Sequence, residues 1–344
     1  MNTQLQAAKK IALSYWDAID AAGPVHLADV CTSKLPQNFY WQGPAPYKVL
    51  HGPEALAQDY LIPLKRAIPD IRRETHIFMA GISNGRKDGT GDGAVWVAAT
   101  GYMVGTATSE FLGIPPVDRP LRLRWGEFLR IDEGRIVQSQ FLLDFVDWFE
   151  QIGRPVLPRP KGVPFVFPKP TGYDGLLYEV QDDLITKETL DFSRVFIYGG
   201  LNKFDQKDLS SMGMAKFFHP NLKWYGPGGI GGCLSLKEFE DLHQRPWLIA
   251  FPDRQVQDLD NLIAEDRLVG ASSFPGVLAT HTGIYQDTPA TGNKIAFNGI
   301  DFWLKTDGQF TENWVFVDMI DVFKQFGVDL FARMRAHGRH PDGS

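Results

Sequence analysis

Cysteine is nearly absent from this chain of 344 residues, which contains only Cys31 and Cys233. Neither belongs to a CxxC pair or a zinc-ligand spacing, so a disulfide framework, a dithiol redox centre and a cysteine zinc site are not expected. Long hydrophobic runs are missing as well. No segment approaches the roughly 18 consecutive apolar residues that would span a bilayer. The opening MNTQLQAAKK lacks the apolar stretch of a signal peptide, which makes a cytoplasmic location the expectation. Charge of one sign is scarce: the net charge is −6, without long runs, and leaves no electrostatic footprint for nucleic acid or an anionic membrane. The chain is read as carrying no dinucleotide fingerprint, no Walker P-loop, no nucleophile elbow and no HExxH motif. Its eight histidines show no metal-ligand spacing. No cofactor and no metal are therefore expected.

What the chain does have is an internal repeat. Trp41, Gly43, Pro44, Pro63, Pro69 and Asp70 recur 183 positions later as Trp224, Gly226, Pro227, Pro246, Pro252 and Asp253. A second block recurs at a separation of 174. There Phe128, Gly134, Asp144, Asp147, Phe149, Gln151 and Gly153 return as Phe302, Gly308, Asp318, Asp321, Phe323, Gln325 and Gly327. The period is far above that of solenoid repeats, so each half is a domain. The expected division is 1–153, a linker at 154–174, and 175–335. The linker has Pro155, Pro158, Pro160, Pro164, Pro168 and Pro170, which prevent a helix and favour an extended, semi-rigid chain.

Within the first half, Leu5, Ala8, Ala12, Trp16 and Ile19 fall on one stripe at helical spacing, which predicts an amphipathic helix over about 2–22. A second helix is expected over about 53–67. Then the period changes to two, with strands near 73–83, 94–104, 121–131 and 135–143. Helices followed by a strand meander predict an α+β class: two tandem cone-shaped domains, each a curved antiparallel sheet with helices packed on it. The loop NGRKDGTGDG at 84–93 reads as a hairpin tip.

The strand at 121–131 puts Leu121, Leu123, Trp125, Glu127, Leu129 and Ile131 on one face, so a carboxylate interrupts an apolar row. In its duplicate, Ile295, Phe297, Gly299, Asp301 and Trp303 share a face, and Asp301 takes the place of Glu127. A carboxylate in an apolar concavity has a raised pKa, which suits a general acid or base near neutral pH. The alternative is an acid facing solvent or paired with Arg124. His281, in the run ATHTG, alternates with Val277 and Ala279 on a neighbouring strand and has Gly101 as its counterpart. It is either a core residue or a partner that hydrogen-bonds Asp301 and shares its proton. Asp144 and Asp318 each stand three residues before a second acid, in the pattern of a helix N-cap, with a direct site role as the other reading. Trp41, Trp224, Tyr225 and Trp303 are core or pocket-lining aromatics; with Asn298, Asn313 and Asp318 they make the expected substrate-binding set.

The segments FLGIPPVDRPLRLRWGEFLRIDEGRI at 111–136 and TPATGNKIAFNGIDFWLKTDGQFTENW at 288–314, with the closing DxxxxFxQxG pattern, resemble SnoaL-like polyketide cyclases and the related predicted ester cyclases of the nuclear transport factor 2-like superfamily. The resemblance covers both halves and implies a sheet cone around an apolar pocket, with cofactor-free acid–base chemistry. It also implies departures. The cyclases carry a histidine where this chain has Glu127 and Asp301, and an acid where it has Phe141 and Val315. Proton transfer then falls to other groups, with Asp301 and His281 first and Glu127 as the modified counterpart in a mainly structural first domain. The expected function is a cofactor-independent isomerase, lyase or cyclase acting on a small, largely apolar substrate, aromatic or polyketide-like. The rival is a non-catalytic small-molecule binding protein. The halves are expected to pair internally as a pseudo-dimer, the whole chain being a monomer or homodimer.

Overall fold

The computed structural model of the protein describes residues 2–164, 166–205 and 208–337. The apolar stripe Leu5, Ala8, Ala12, Trp16 and Ile19 forms the buried face of the helix Asn2–Ala21, laid on the first sheet. That sheet has six strands: β1 (Tyr40–Gln42), β2 (Val49–His51), β3 (Arg72–Ile82), β4 (Val95–Thr106), β5 (Pro120–Asp132) and β6 (Arg135–Leu143). Their order is β2-β1-β6-β5-β4-β3. The second sheet contains β7 (Phe218–Tyr225), β8 (Gly232–Cys233), β9 (Gln255–Val256), β10 (Asn261–Glu265), β11 (Leu268–Thr280), β12 (Lys294–Thr306) and β13 (Gln309–Val317). It runs β10-β11-β12-β13-β7-β8, with β9 also on β11. The α+β architecture is that read from the pattern, with one refinement. Each sheet contains a parallel pair, β1 on β6 and β13 on β7, because the short strand that precedes the meander crosses to join its last strand.

The duplication shows in local geometry. Trp41 and Trp224 each fold back over the glycine two residues on. A Cβ at Gly43 or Gly226 would lie 1.9 Å or 2.2 Å from the indole ring, so no other residue fits. The helix that precedes the long strands of each half contains a π-helical stretch at equivalent places, Leu56–Leu61 and Phe239–Gln244. Pro63 and Pro246 supply the cause. Each lacks the N–H that would bond four residues back, and the preceding Ile62 and Arg245 reach five residues back instead, to Ala57 and Glu240.

Strand alternation sorts the β5 and β12 side chains into two layers. Glu127 and Asp301 point into the cones, whereas Phe128 and Phe302 point outward and meet each other, ring centroids 5.4 Å apart. Around them Ile300, Leu304, Trp314 and Phe316 of one sheet pack on Met79, Trp96 and Leu142 of the other. Gly270 is required here, since a Cβ would come within 2.9 Å of the Phe128 ring. Two acids tie the halves reciprocally. Asp144 caps the helix Phe145–Gln151 by accepting from Asp147 N–H and also accepts from Gly228 N–H of the second half at 2.8 Å. Asp318 caps Met319–Gln325 by accepting from Asp321 N–H and also accepts from Ala45 N–H of the first half at 2.8 Å. A buried ion pair, Lys9 to Glu265 at 2.5 Å, adds a third tie.

The proline-rich segment is packed rather than free. Val163 bridges to Gly232, Phe167 is buried beneath the Arg124 guanidinium 4.1 Å from its ring, and Leu176 bridges to Phe78. The loop at 84–93 likewise docks on the second half, where Asn84 N–H donates to Leu262 O and Leu259 N–H to Gly85 O.

Candidate functional site

The second cone encloses a cavity of about 180 Å³. Its wall comes from the inward face of β12 (Phe297, Gly299, Asp301, Trp303), from Ala271 and Ser273 of β11, from Asn313 and Val315 of β13, and from the helices above. Asp301 pairs across the strands with Ala271 and Val315, two small apolar neighbours that leave room at its carboxyl. Burial raises its pKa to about 7, and a hydrogen bond with the Asn313 side chain pulls the other way. Trp303, two residues on along the same face, has an indole N–H with no acceptor.

The same position in the first cone is filled. Trp16 reaches down from the first helix and donates its indole N–H to Glu127 at 2.7 Å, and Ser139, the counterpart of Asn313, donates to the other oxygen at 2.7 Å. Phe78 and Trp125 pack edge-on against the Trp16 ring. Burial raises the Glu127 pKa, but both oxygens are occupied by protein donors. The first helix has its counterpart in Asp183–Arg194, continued by the π-helical Val195–Leu201, and the buried positions of the two coincide in the pairs Ala8/Thr189, Ala12/Ser193, Tyr15/Phe196, Trp16/Ile197 and Ile19/Gly200. Ile197 therefore stands where Trp16 does. A side chain too short to reach Asp301 leaves the second cone hollow.

Of the residues proposed from sequence, the cavity brings together Asp301, Asn313, Asn298, Trp303 and Trp224. It does not include the others. The expected hydrogen bond between His281 and Asp301 does not form. His281 follows β11 and its N–H donates to Asn293 O, eight residues from Asp301 along the chain, or roughly 25 Å at about 3.3 Å per residue. The imidazole is fully buried, stacked 4.0 Å from the Phe326 ring, with Nδ1 3.2 Å from Thr291 Oγ1, and burial lowers its pKa. Its counterpart in the first half is Ala107 rather than Gly101: Thr106 N–H donates to Asp70 and Thr108 N–H to Ala67 O, as Thr280 N–H does to Asp253 and Thr282 N–H to Ala250 O. Tyr225 faces the interface between the halves, where it donates to Glu312 Oε1 at 2.8 Å. Asp318 is the reciprocal cap described above, its pKa raised by burial to about 7. Trp41 packs against Tyr47, Tyr60 and Phe141 in the filled cone.

Among the polar wall residues that escaped the sequence reading are His243, Gln244 and Arg254. The signal was available at the 183-residue spacing, where they replace Tyr60, Leu61 and Ile71. His243 stacks between Trp224 and Trp247, and its pKa is pushed down to about 3 by burial and then by the charge of Arg254, so it is neutral at physiological pH.

Two runs spell familiar motifs without their structural context. Gly226–Gly231 fits GxGxxG, but it follows β7 and leads into the two-residue β8 rather than a helix, and its backbone is tied to Arg124 and Asp144. Gly81–Gly85 fits GxSxG, yet Ser83 is buried at the end of β3, before a loop, with no helix to form an elbow. Among the described residues no three His, Cys, Asp or Glu side chains are grouped to hold a metal ion. No helix among them is long and apolar enough to cross a membrane.

Comparison with solved structures finds the putative hydroxylase AclR from Streptomyces galilaeus, with 22% identity over 41% of this chain and 82% of that one, and a TM-score of 0.34. A putative SnoaL-like polyketide cyclase from Jannaschia sp. CCS1 aligns at 14% identity over 43% and 96%, TM-score 0.37. IdmH, a putative polyketide cyclase from Streptomyces antibioticus, aligns at 18% over 41% and 98%, TM-score 0.30. Each spans close to one half of the chain. No curated protein matches. The family model for SnoaL-like polyketide cyclase matches residues 15–152 and again 201–326, and the chain belongs to that family, with two copies of its domain in tandem.

Proposed function

We propose that the second cone is the working site of a cofactor-independent enzyme of the isomerase, lyase or cyclase type, with Asp301 as the proton-transfer group. The observation that carries this reading is the contrast between the two carboxylates: Glu127 is held by two protein donors under Trp16, whereas Asp301 lies in a cavity wall with its pKa near 7. A carboxylate poised near the working pH can take a proton from carbon or oxygen and return it elsewhere on the same substrate, the requirement of an isomerisation or an intramolecular ring closure. Trp303 N–H is placed two residues away to donate to an oxygen that gains charge as the proton leaves. The remaining wall is mostly aliphatic and aromatic, which suits a small, largely apolar substrate and excludes water from the step. Two buried free cysteines agree with a reducing, cytoplasmic setting.

The test is Asp301→Asn, nearly isosteric and lacking the basic oxygen. Turnover is expected to fall about 10²- to 10⁴-fold with binding retained. A second reading, a binding protein without catalysis, is favoured by the distance of His281, which leaves Asp301 without a titrating partner. It would be recognised by tight ligand binding in the wild type, with the ligand recovered chemically unchanged.

A further inference from the structure

Arg254 is 3% exposed, belongs to the cavity wall, and has no acidic partner among the described residues. One terminal nitrogen donates to Leu201 O at 2.9 Å and the other to the thioether of Met212 at 3.2 Å, while Nε–H has no acceptor. The guanidinium lies 5.2 Å from the Trp247 ring and 5.7 Å from that of Phe204. Burial lowers its pKa only to about 10, and no carboxylate among the described residues offsets its charge. It is a full positive charge at neutral pH, placed in an apolar wall. Such a charge is costly to bury unless something of opposite sign meets it. Beside it, Gln244 donates to the same Met212 sulphur at 3.1 Å, with its carbonyl oxygen unpartnered.

The charge is not needed to build this fold. At the same place in the first half stands Ile71, buried in the apolar core of the filled cone. At this position arginine thus occurs only in the second copy, whose cone is hollow. Two further observations narrow what it meets. His243 nearby is neutral, so the wall offers a single cation at this point. Gln255, the next residue, pairs with Leu278, which pairs with Ala296, five residues from Asp301. The antiparallel register sets Arg254 one position further, level with Ala279 and Ile295, so its backbone lies roughly 20 Å along the strands from the acid at about 3.3 Å per residue.

We infer that Arg254 is an anchor for a carboxylate on the substrate, so that the second cone takes an apolar acid whose charged end lies at Arg254 and whose reacting end lies at Asp301. The inference rests on the cavity being the working site. A guanidinium fork suits a carboxylate because it offers parallel N–H donors to both oxygens. Separation from Asp301 matters too, since two carboxylates brought together would repel and hold Asp301 protonated. The substrate class is therefore an elongated, largely apolar carboxylic acid rather than a fully neutral molecule.

The test is titration of the whole protein with 1-naphthoate and with 1-naphthamide, its neutral isostere, followed by quenching of tryptophan fluorescence and by calorimetry. The acid is expected to bind about 10- to 100-fold more tightly than the amide, as for a hydrogen-bonded charge. Arg254→Met should remove that preference while leaving amide binding within a few-fold. If Arg254→Met does not fold, as judged by thermal melting, Arg254→Lys carries the test: a point charge without the fork should cut the acid preference severalfold and leave the amide unaffected. Equal binding of acid and amide by the wild type, or a preference unchanged in the folded variants, overturns the anchor alone and leaves the cavity as a site for neutral molecules. Failure of both probes to bind overturns the anchor and the cavity reading together.

Discussion

At the scale of the residue, the two cone carboxylates make opposite predictions. Asp301 has its pKa raised by burial from the ordinary carboxylate range to about 7. A raised folded-state pKa means that the folded protein binds the proton more tightly than the unfolded chain. The contribution to stability is complete below the unfolded value, near pH 4, and is lost as the pH rises through 7, at about 1.4 kcal/mol per unit of separation. Asp301→Asn has no such dependence. Its melting temperature relative to wild type should rise by several degrees between pH 4 and pH 8, and a constant difference across that range would count against a neutral buried Asp301. In the first cone, Trp16→Ala removes the ring that fills the space over Glu127 and leaves that acid short of a donor. A loss of about 3 to 5 kcal/mol in unfolding free energy is expected, read from denaturant curves. The carboxylates were legible in the sequence because each interrupts an apolar period-two row. The plug was not, because Trp16 meets Glu127 across 111 residues of chain and looks locally like any other residue of a buried helical stripe. His281 misled for a related reason: a side chain found in one copy only can mark a packing difference as readily as a function, and here the imidazole stacks on Phe326 in the core where the first half has Ala107.

Among the elements, the meander and the first helix followed from periodicity alone: strands expected near 94–104 and 135–143 form at Val95–Thr106 and Arg135–Leu143. The caps of the short helices after the last strands were also legible, from an aspartate followed three residues later by another. Their second role was not, since it needs the other half of the chain. Asp144 accepts from Gly228 N–H, caps its helix and pairs with the buried Arg124, whose guanidinium also donates to Gly226 O at 2.9 Å. Asp144→Ala removes the cap, the Gly228 contact and the ion pair at once and leaves the buried Arg124 charge without its paired carboxylate. The expected destabilisation is about 3 to 5 kcal/mol, far above the ~1 kcal/mol of an ordinary cap. Asp329, which caps the helix Leu330–Ala336 at the surface, is the control: Asp329→Ala should cost only about 1 kcal/mol in the same denaturant measurement.

For the whole molecule, duplication lets one chain supply both sides of an interface that a single domain would need a second copy to cover. The layer formed by Phe128, Phe302, Ile300 and Phe316 is apolar on both sheets and would be exposed if the halves parted. The Lys9–Glu265 pair would then lose its partner across the boundary, as would the reciprocal contacts of Asp144 and Asp318. The linker contributes to this layer rather than merely spanning it, since Phe167 is buried in it and Trp314 donates its indole N–H to Pro168 O at 3.1 Å. Such an arrangement frees one copy from holding a site: the first cone can be filled for rigidity while the second stays hollow. It also predicts how the chain responds to being cut. A protease site inserted at the exposed turn Thr171–Gly172 should yield two fragments that still co-elute on size exclusion at the mass of the intact chain, with melting lowered by the lost effective concentration of the linker. Light scattering of the uncut protein should give a monomer, since the face by which a single domain would pair is already covered. Fragments that separate in buffer without denaturant would show that the sheet-to-sheet layer is too weak to hold the halves, and the linker alone would then be keeping them together.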